Sequence, residues 1–241
     1  MTKRAIVVGA SSGIGAALAR ELAAEGYEVG LVARRLDRLK ALGEELPTKS
    51  YVARIDVAET EEAMDRLRRL LDAMHGADLI VLNAGVGIEN EALDWEPERQ
   101  TIDVNVRGFA AMANVAMRHF EERGAGHLVG VSSVAGRFGN GAVPAYSASK
   151  AFVSNYLDGL RYRAAGRDAE VVVADMIPGY VDTEMATNEG RFWEVSAEVA
   201  AAQIAAAIRK EKARAYVPRR WRAVALFLDA MPDAFFRRLF A

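Results

Sequence analysis

Residues 5 to 26, AIVVGASSGIGAALARELAAEG, decide how this chain is read. The apolar run from Ala5 to Val8 suits a strand buried on both faces. It leads into Gly9, Gly13 and Gly15 and then into helical apolar spacing over 14–25. Glycines let a chain reverse sharply, and they let backbone N–H groups and a helix amino end approach a pyrophosphate. The spacing is G-x-x-x-G-x-G rather than the G-x-G-x-x-G dinucleotide fingerprint, so the loop needs support from elsewhere in the chain. The same letters fit G-x-S-x-G through Gly9, Ser11 and Gly13, the pattern of a hydrolase with Ser11 as nucleophile. That reading requires an acid and then a histidine in a later loop. The histidines are His75, His119 and His127, none with a clear placement of that kind.

Outward from this stretch, short β-rich runs at 5–9, 28–33, 50–55, 78–83, 127–132, 170–177 and 214–218 alternate with helical stretches. The helical stretches are 14–25, 36–45, 60–74, 97–122, 145–164 and 197–212, with Ser196 placed to cap the last. Several strand runs are continuously apolar, as strands covered by helices on both faces should be. The alternation predicts an α/β fold: a single-domain Rossmann-type doubly wound parallel sheet of about seven strands, binding its ligand at the carboxyl ends of the strands. No linker and no internal repeat divides the 241 residues.

Composition bounds the partners. With 31 basic and 33 acidic residues the formal net charge is -2, which gives no global attraction to nucleic acid. Cysteine is absent, so disulfides, thiolate nucleophiles and cysteine-type zinc sites are excluded, and no metal is expected. Gly9 to Gly13 interrupts the first apolar run too early for a signal peptide core, and 223–228 is far shorter than the ~20 residues that span a bilayer. The expected location is cytoplasmic.

Two arginines qualify the dinucleotide reading. At the end of the second strand run an NAD site usually places an acid for the ribose 2'-hydroxyl. Here Ala33 is followed by Arg34 and Arg35, with Arg34 the first candidate. A guanidinium can meet a 2'-phosphate through charge-assisted bonds, so NADP is expected in preference to NAD.

Tyr146 and Lys150, in YSASK, are four residues apart and share one helix face. A phenol titrates near pH ~10, but a neighbouring ammonium favours its ionised form and is expected to lower its pKa into the working range. Asn105 has Ile102, Phe109 and Met112 as same-face neighbours, and an amide on such a buried stripe requires a partner.

The glycine loop, LNAGV (82–86), VSSVAG (131–136), YSASK and PGYVDT (178–183), in this order, resemble the short-chain dehydrogenase/reductase family over roughly residues 3 to 218. Val8 and Leu82 depart from residues the family often has there, threonine and asparagine. The resemblance implies that Gly9, Ser11, Ser12, Ile14 and Gly15 line the cofactor phosphates, that Asp56 and Val57 flank the adenine, and that Asn83, Ala84 and Gly85 lie beside the adenosine ribose. It matches Ser133 to the family's catalytic serine, in preference to the adjacent Ser132, whose side chain strand alternation sends to the opposite face. It gives Asn105 a water-holding role in a proton relay from Lys150, and it places Pro178, Gly179, Val181 and Thr183 beside the nicotinamide. It implies a hydride-transferring enzyme acting on a carbonyl or alcohol, assembled as a homodimer or homotetramer through the Asn105 and Tyr146 helices.

Two segments fall outside the alternation. The loop from Tyr180 to Val195 holds Val181, Met185, Phe192 and Trp193, enough apolar area to close over a hydrophobic substrate or simply to pack. The tail 219–241 combines Arg219, Arg220, Arg222, Arg237 and Arg238 with Trp221, Phe227, Phe235, Phe236 and Phe240. Such a tail can dock on its own domain, on a second subunit, or at a membrane surface, with membrane contact the less expected.

Overall fold

The computed structural model describes residues 2–182 and 193–229, the side chain of the last excepted. Thr183, Met185, Phe192 and the tail residues Phe235, Phe236, Arg237, Arg238 and Phe240 lie outside the described residues. Seven parallel strands form the main sheet in the order β3-β2-β1-β4-β5-β6-β9. They are β1 (Arg4–Val8), β2 (Glu28–Ala33), β3 (Ser50–Arg54), β4 (Leu79–Leu82), β5 (Ala125–Val131), β6 (Glu170–Pro178) and β9 (Arg214–Val217).

The helices between them are α1 (Gly13–Ala24), α2 (Leu36–Glu45), α3 (Thr60–Ala73), α4 (Trp95–Ile102), α5 (Phe109–Arg123), α6 (Pro144–Ala165) and α7 (Ala197–Arg209). Each strand sends alternate side chains to opposite layers. Ala5 and Val7 of β1 join Leu18, Leu22 and Leu39 of α1 and α2 and Ile204 of α7. Ile6 and Val8 join Leu67 of α3, Met112 of α5 and Leu157 of α6 on the other face. Burial on both faces is why these strand sequences are apolar throughout.

The chain runs outward from β1 to β2 and β3, then returns to place β4 on the other side of β1. This reversal opens a crevice at the carboxyl ends of β1 and β4, where open α/β sheets bind ligands. Both strand ends carry sequence already singled out: Gly9 to Gly15 after β1, and Asn83 to Gly85 after β4.

Three details differ from the sequence reading. The stretch 97–122 is not one α-helix, because a π-helical turn, Asp103–Gly108, separates α4 from α5. The wider turn rotates the side chains before it relative to those after it, so Ile102 is 36 % exposed while Phe109 and Met112 are buried. The ends of the Tyr180 to Val195 loop form a short parallel pair, β7 (Val181–Asp182) with β8 (Val195–Ser196). The tail begins as a helix, α8 (Trp221–Asp229), whose first residue is buried against Val134 and Ile177. Ser196 does cap α7, its hydroxyl accepting from the Val199 N–H. No helix among the described residues is long and apolar enough to cross a membrane.

Candidate active site

The glycine loop is shaped by steric necessity. Gly9 has φ +92°, and a Cβ there would stand 2.6 Å from the Ala84 nitrogen. A Cβ on Gly15 would stand 2.0 Å from the Gly9 carbonyl oxygen. The loop therefore lies pressed against the end of β4, where Asn83 Nδ2 donates to the Gly9 carbonyl at 3.0 Å. Ile14 packs on the α1 layer.

Ser12 stands at the N-cap of α1 but gives it no side-chain cap. Its hydroxyl accepts instead from Arg35 Nη2 at 2.6 Å, and Ser11 Oγ accepts from Arg35 Nε and Nη2 at 3.1 and 2.9 Å. The result is a guanidinium, two hydroxyls and the uncapped amino end of a helix at one point, a donor set suited to phosphate. Arg34 is placed differently: it is 62 % exposed and 4.0 Å from Asp56. The sequence expectation favoured Arg34, whereas in this structure Arg35 is the arginine placed on the glycine loop. Asp56 also accepts from the Ala58 N–H at 3.2 Å, and Val57 is buried against Gly108 of the π-helical turn.

At the other side of the crevice, α6 begins with Pro144 at its first turn and carries Tyr146 and Lys150 inward. Ser133, just after β5, stands beside the Tyr146 hydroxyl and favours its ionised form. Its Oγ accepts from the Ala135 N–H at 3.1 Å and reaches the Pro178 carbonyl at 3.5 Å. Ser132 turns away, as alternation requires, and donates to Asp175 at 2.5 Å. Lys150 is 6 % exposed; its Nζ donates to the Val131 carbonyl at 3.1 Å and lies 5.7 Å from the Tyr146 ring centre.

Burial dominates the titration of both groups. It pushes Lys150 down to about 8, and Asp175 opposes it. It pushes Tyr146 up, with the Ser133 hydroxyl acting the other way. The expectation that Lys150 lowers the tyrosine pKa is therefore not met within the polypeptide alone, because desolvation of the phenolate outweighs what the neighbouring groups supply.

Asn105, 2 % exposed, is fully engaged: Nδ2 donates to the Val86 carbonyl at 2.8 Å and to Ser149 Oγ at 3.0 Å, and Oδ1 accepts from the Val86 N–H at 2.8 Å. Ser149 in turn donates to the Tyr146 carbonyl at 2.7 Å. The amide thus ties the loop after β4 to the helix of Tyr146. Asn105 Oδ1 and Lys150 Nζ each come within 3.3 Å of where a Cβ of Gly85 would lie, so that glycine lets the two converge. Gly179 is covered by Trp221, which meets Tyr180 and Trp193 edge-on at 5.5 and 6.2 Å between ring centres. Val181, in the β7–β8 pair, is buried in the layer of α7.

Sequence reasoning missed Ser149, Asp175 and Trp221 as parts of this region. Asp175 did leave a signal, a lone charge inside the apolar run EVVVADMI. The Ser11 hydrolase reading has no histidine to work with. His75 precedes β4, His119 contacts Ala77 just before β4, and His127 sits early in β5, all at the sheet end opposite the glycine loop.

A doubly wound sheet with a glycine loop at its reversal and a Ser-Tyr-Lys cluster facing it defines a dinucleotide-type oxidoreductase. The short chain dehydrogenase family model matches residues 3–192, and the chain belongs to that family. An uncharacterized oxidoreductase of Myxococcus xanthus is 42% identical over 192 residues, covering 77% of this chain and 75% of its own. Another, from Mycobacterium tuberculosis, is 37% identical over 227 residues, covering 90% and 88%. Among solved structures, a Burkholderia cenocepacia short chain dehydrogenase in complex with NADP superposes with TM-score 0.76 at 28% identity over 86% of this chain and 91% of that one. A Sphingobium yanoikuyae short-chain dehydrogenase in complex with NADPH reaches 0.80 at 21% identity over 96% and 97%, a likeness of fold alone.

Proposed function

We propose that this oxidoreductase transfers hydride between NADP(H) and the carbonyl or secondary alcohol of a hydrophobic substrate, with reduction favoured because NADP pools commonly serve reductive chemistry. The observation that supports it best is the convergence of Ser133 and Lys150 on Tyr146 at the strand ends, opposite a loop where Arg35 joins Ser11 and Ser12. Gly9, Ser11, Ser12, Ile14, Gly15 and Arg35 would hold the phosphates. Asp56, Val57, Asn83, Ala84 and Gly85 would line the adenosine half, with Pro178, Gly179, Val181 and Thr183 at the nicotinamide half. When bound, the dinucleotide supplies or accepts the hydride.

The chain's own groups then do the rest. Ser133 orients the substrate oxygen and stabilises the charge growing on it. Tyr146 gives the proton to that oxygen at its phenolic atom. Lys150, already buried and cationic below about pH 8, supports the phenolate left behind. Asn105 holds the loop and the helix in register so that these groups meet, and Tyr180, Val181 and Trp193 exclude water at the substrate side. Helices α5 and α6 offer the faces for a homodimer or homotetramer.

Titration with NADPH and NADH, followed by NADPH absorbance across ketones, aldehydes, steroids and sugars, tests the reading. Selective NADPH binding with turnover of at least one carbonyl class is expected. Binding without any turnover would instead indicate a catalytically quiet NADP-binding regulatory protein, and equal affinity for both dinucleotides would remove the role given to Arg35.

A further inference from the structure

Beneath Tyr146 and Lys150 lies a carboxylate that the proposed hydride transfer does not use. Asp175 sits in β6, in register with Gly130 of β5 and Arg214 of β9, and is 0 % exposed. Alternation along β6 puts its side chain on the same face as Val173, toward α6. One carboxylate oxygen accepts from Ser132 Oγ at 2.5 Å and the other from Ser154 Oγ at 2.8 Å.

Both donors adjoin the site. Ser132 directly precedes Ser133, so fixing Ser132 on the α6 face of the sheet turns Ser133 to the crevice. Ser154 is one helical turn beyond Lys150 on the same face of α6. An uncharged acceptor could tie these elements together, whereas a buried carboxylate loses its hydration at a cost unless its charge is used. The charge that can use it is near: Lys150 Nζ, buried, donates to the neutral Val131 carbonyl, and Asp175 is the group whose field favours its ammonium form.

We propose that Asp175 is a positioning residue of this site: it holds Ser132 and Ser154 so that Ser133 and Lys150 face the crevice, and its negative charge keeps Lys150 an ammonium. This rests on the reading of Lys150 as the cation that supports Tyr146. The charged groups acting on Asp175 are Lys150 from α6, Arg214 from β9 and Arg137 from the turn after β5. Burial raises Asp175, and the two serine hydrogen bonds with Arg214 and Arg137 lower it.

The test follows the Lys150 side chain by NMR of carbon-13-labelled lysine across pH in the full chain, with the signal assigned through Lys150→Arg. Asp175→Asn keeps the size of the group and hydrogen bonds to both serines but removes the charge; Ser154→Ala removes one hydrogen bond and keeps the charge. The Lys150 midpoint is expected to fall in Asp175→Asn and to stay in place in Ser154→Ala. The basic limb of kcat/KM for carbonyl reduction should move to lower pH only in the former. An unmoved midpoint in Asp175→Asn, or an equal fall in both variants, overturns the proposal. Should Asp175→Asn not fold, carbon-13 aspartate spectra of the unaltered chain decide, because an Asp175 carboxyl already neutral at pH 7 has no charge to offer. These spectra need neither dinucleotide nor substrate, so their outcome is separate from whether the proposed reaction is right.

Discussion

The two lips of the crevice are built on different physics. The lip after β1 is a matter of space: Gly9 and Gly15 admit no Cβ without moving backbone atoms, and its polar contacts come from an exposed arginine, two half-buried serines and Asn83. The lip formed by β5, β6 and α6 is a matter of titratable groups taken out of water, with Lys150 and Asp175 buried and Tyr146 beside Ser133. A steric site tolerates changes of pH and fails when a methyl group is added. A buried ionic site tolerates small changes of shape and fails when a proton is in the wrong place.

The largest effect that separates them is expected from Tyr146→Phe. It removes the proposed proton donor and leaves the glycine loop intact, so turnover should drop by about a hundredfold to ten-thousandfold while NADPH affinity stays within about threefold. Calorimetry of NADPH binding beside steady-state rates checks this. Unaltered turnover would mean that the proton comes from another group and that the two lips do not divide binding from chemistry.

Next comes the pH dependence of stability. Burial pushes Lys150 down to about 8 in the folded chain, against 10.5 for a lysine in water. Between those two pH values the unfolded chain binds the proton that the folded one has released, so stability rises with pH across this window. Below pH 8 the full penalty applies, on the order of 3 kcal/mol. Denaturant unfolding of the wild type and Lys150→Met should therefore show the wild type gaining on the variant from pH 8 to 10.5, and parallel curves would count against a buried, depressed lysine.

Gly15→Ala makes the converse test. Its Cβ must displace the Gly9 carbonyl, a strain of about 1–3 kcal/mol. At this chain length that corresponds to a fall in Tm of roughly 2–10 °C. NADPH affinity should fall with it, and the loss should not vary between pH 6 and 9, as measured by thermal melts and binding at each pH.

The difference between the lips also explains what could be read in the sequence. The seven strand runs lie within two residues of the strands of the main sheet, because apolar runs broken by glycine and charge are local signals. The glycine loop is local too, and its letters name their own backbone requirement. The network behind Lys150 is not local: Ser132 and Asp175 are 43 residues apart, and nothing near either indicates the other. Asn105 was legible as a buried amide needing partners, but the π-helical turn that carries it was not, and Ile102 was misplaced as a result. The tail was ambiguous because an apolar, arginine-rich segment fits several surfaces, and only the position of Trp221 against Gly179 assigns its first turn to the chain's own domain.

The smallest expected effect concerns the pair Arg34 and Arg35, adjacent in sequence and unlike in setting. Arg35 makes three hydrogen bonds to Ser11 and Ser12, so its guanidinium is already held where a 2'-phosphate would arrive and loses little further freedom on binding. Charge-assisted bonds of this kind contribute about 1.5–3 kcal/mol, so Arg35→Ala should cut the preference for NADPH over NADH by roughly tenfold to a hundredfold. Arg34 is mostly in solvent with Asp56 at 4.0 Å, a setting in which ion pairs contribute about 0–1 kcal/mol and are screened by salt. Arg34→Ala should change the same ratio by less than about fivefold, and the small change should shrink further in high salt. The ratio of the two dinucleotide dissociation constants, measured for both variants at two salt concentrations, reads this directly. A larger effect at Arg34 than at Arg35 would mean that Arg34 leaves Asp56 to take the phosphate, and that the steric lip rearranges around its ligand instead of waiting for it in place.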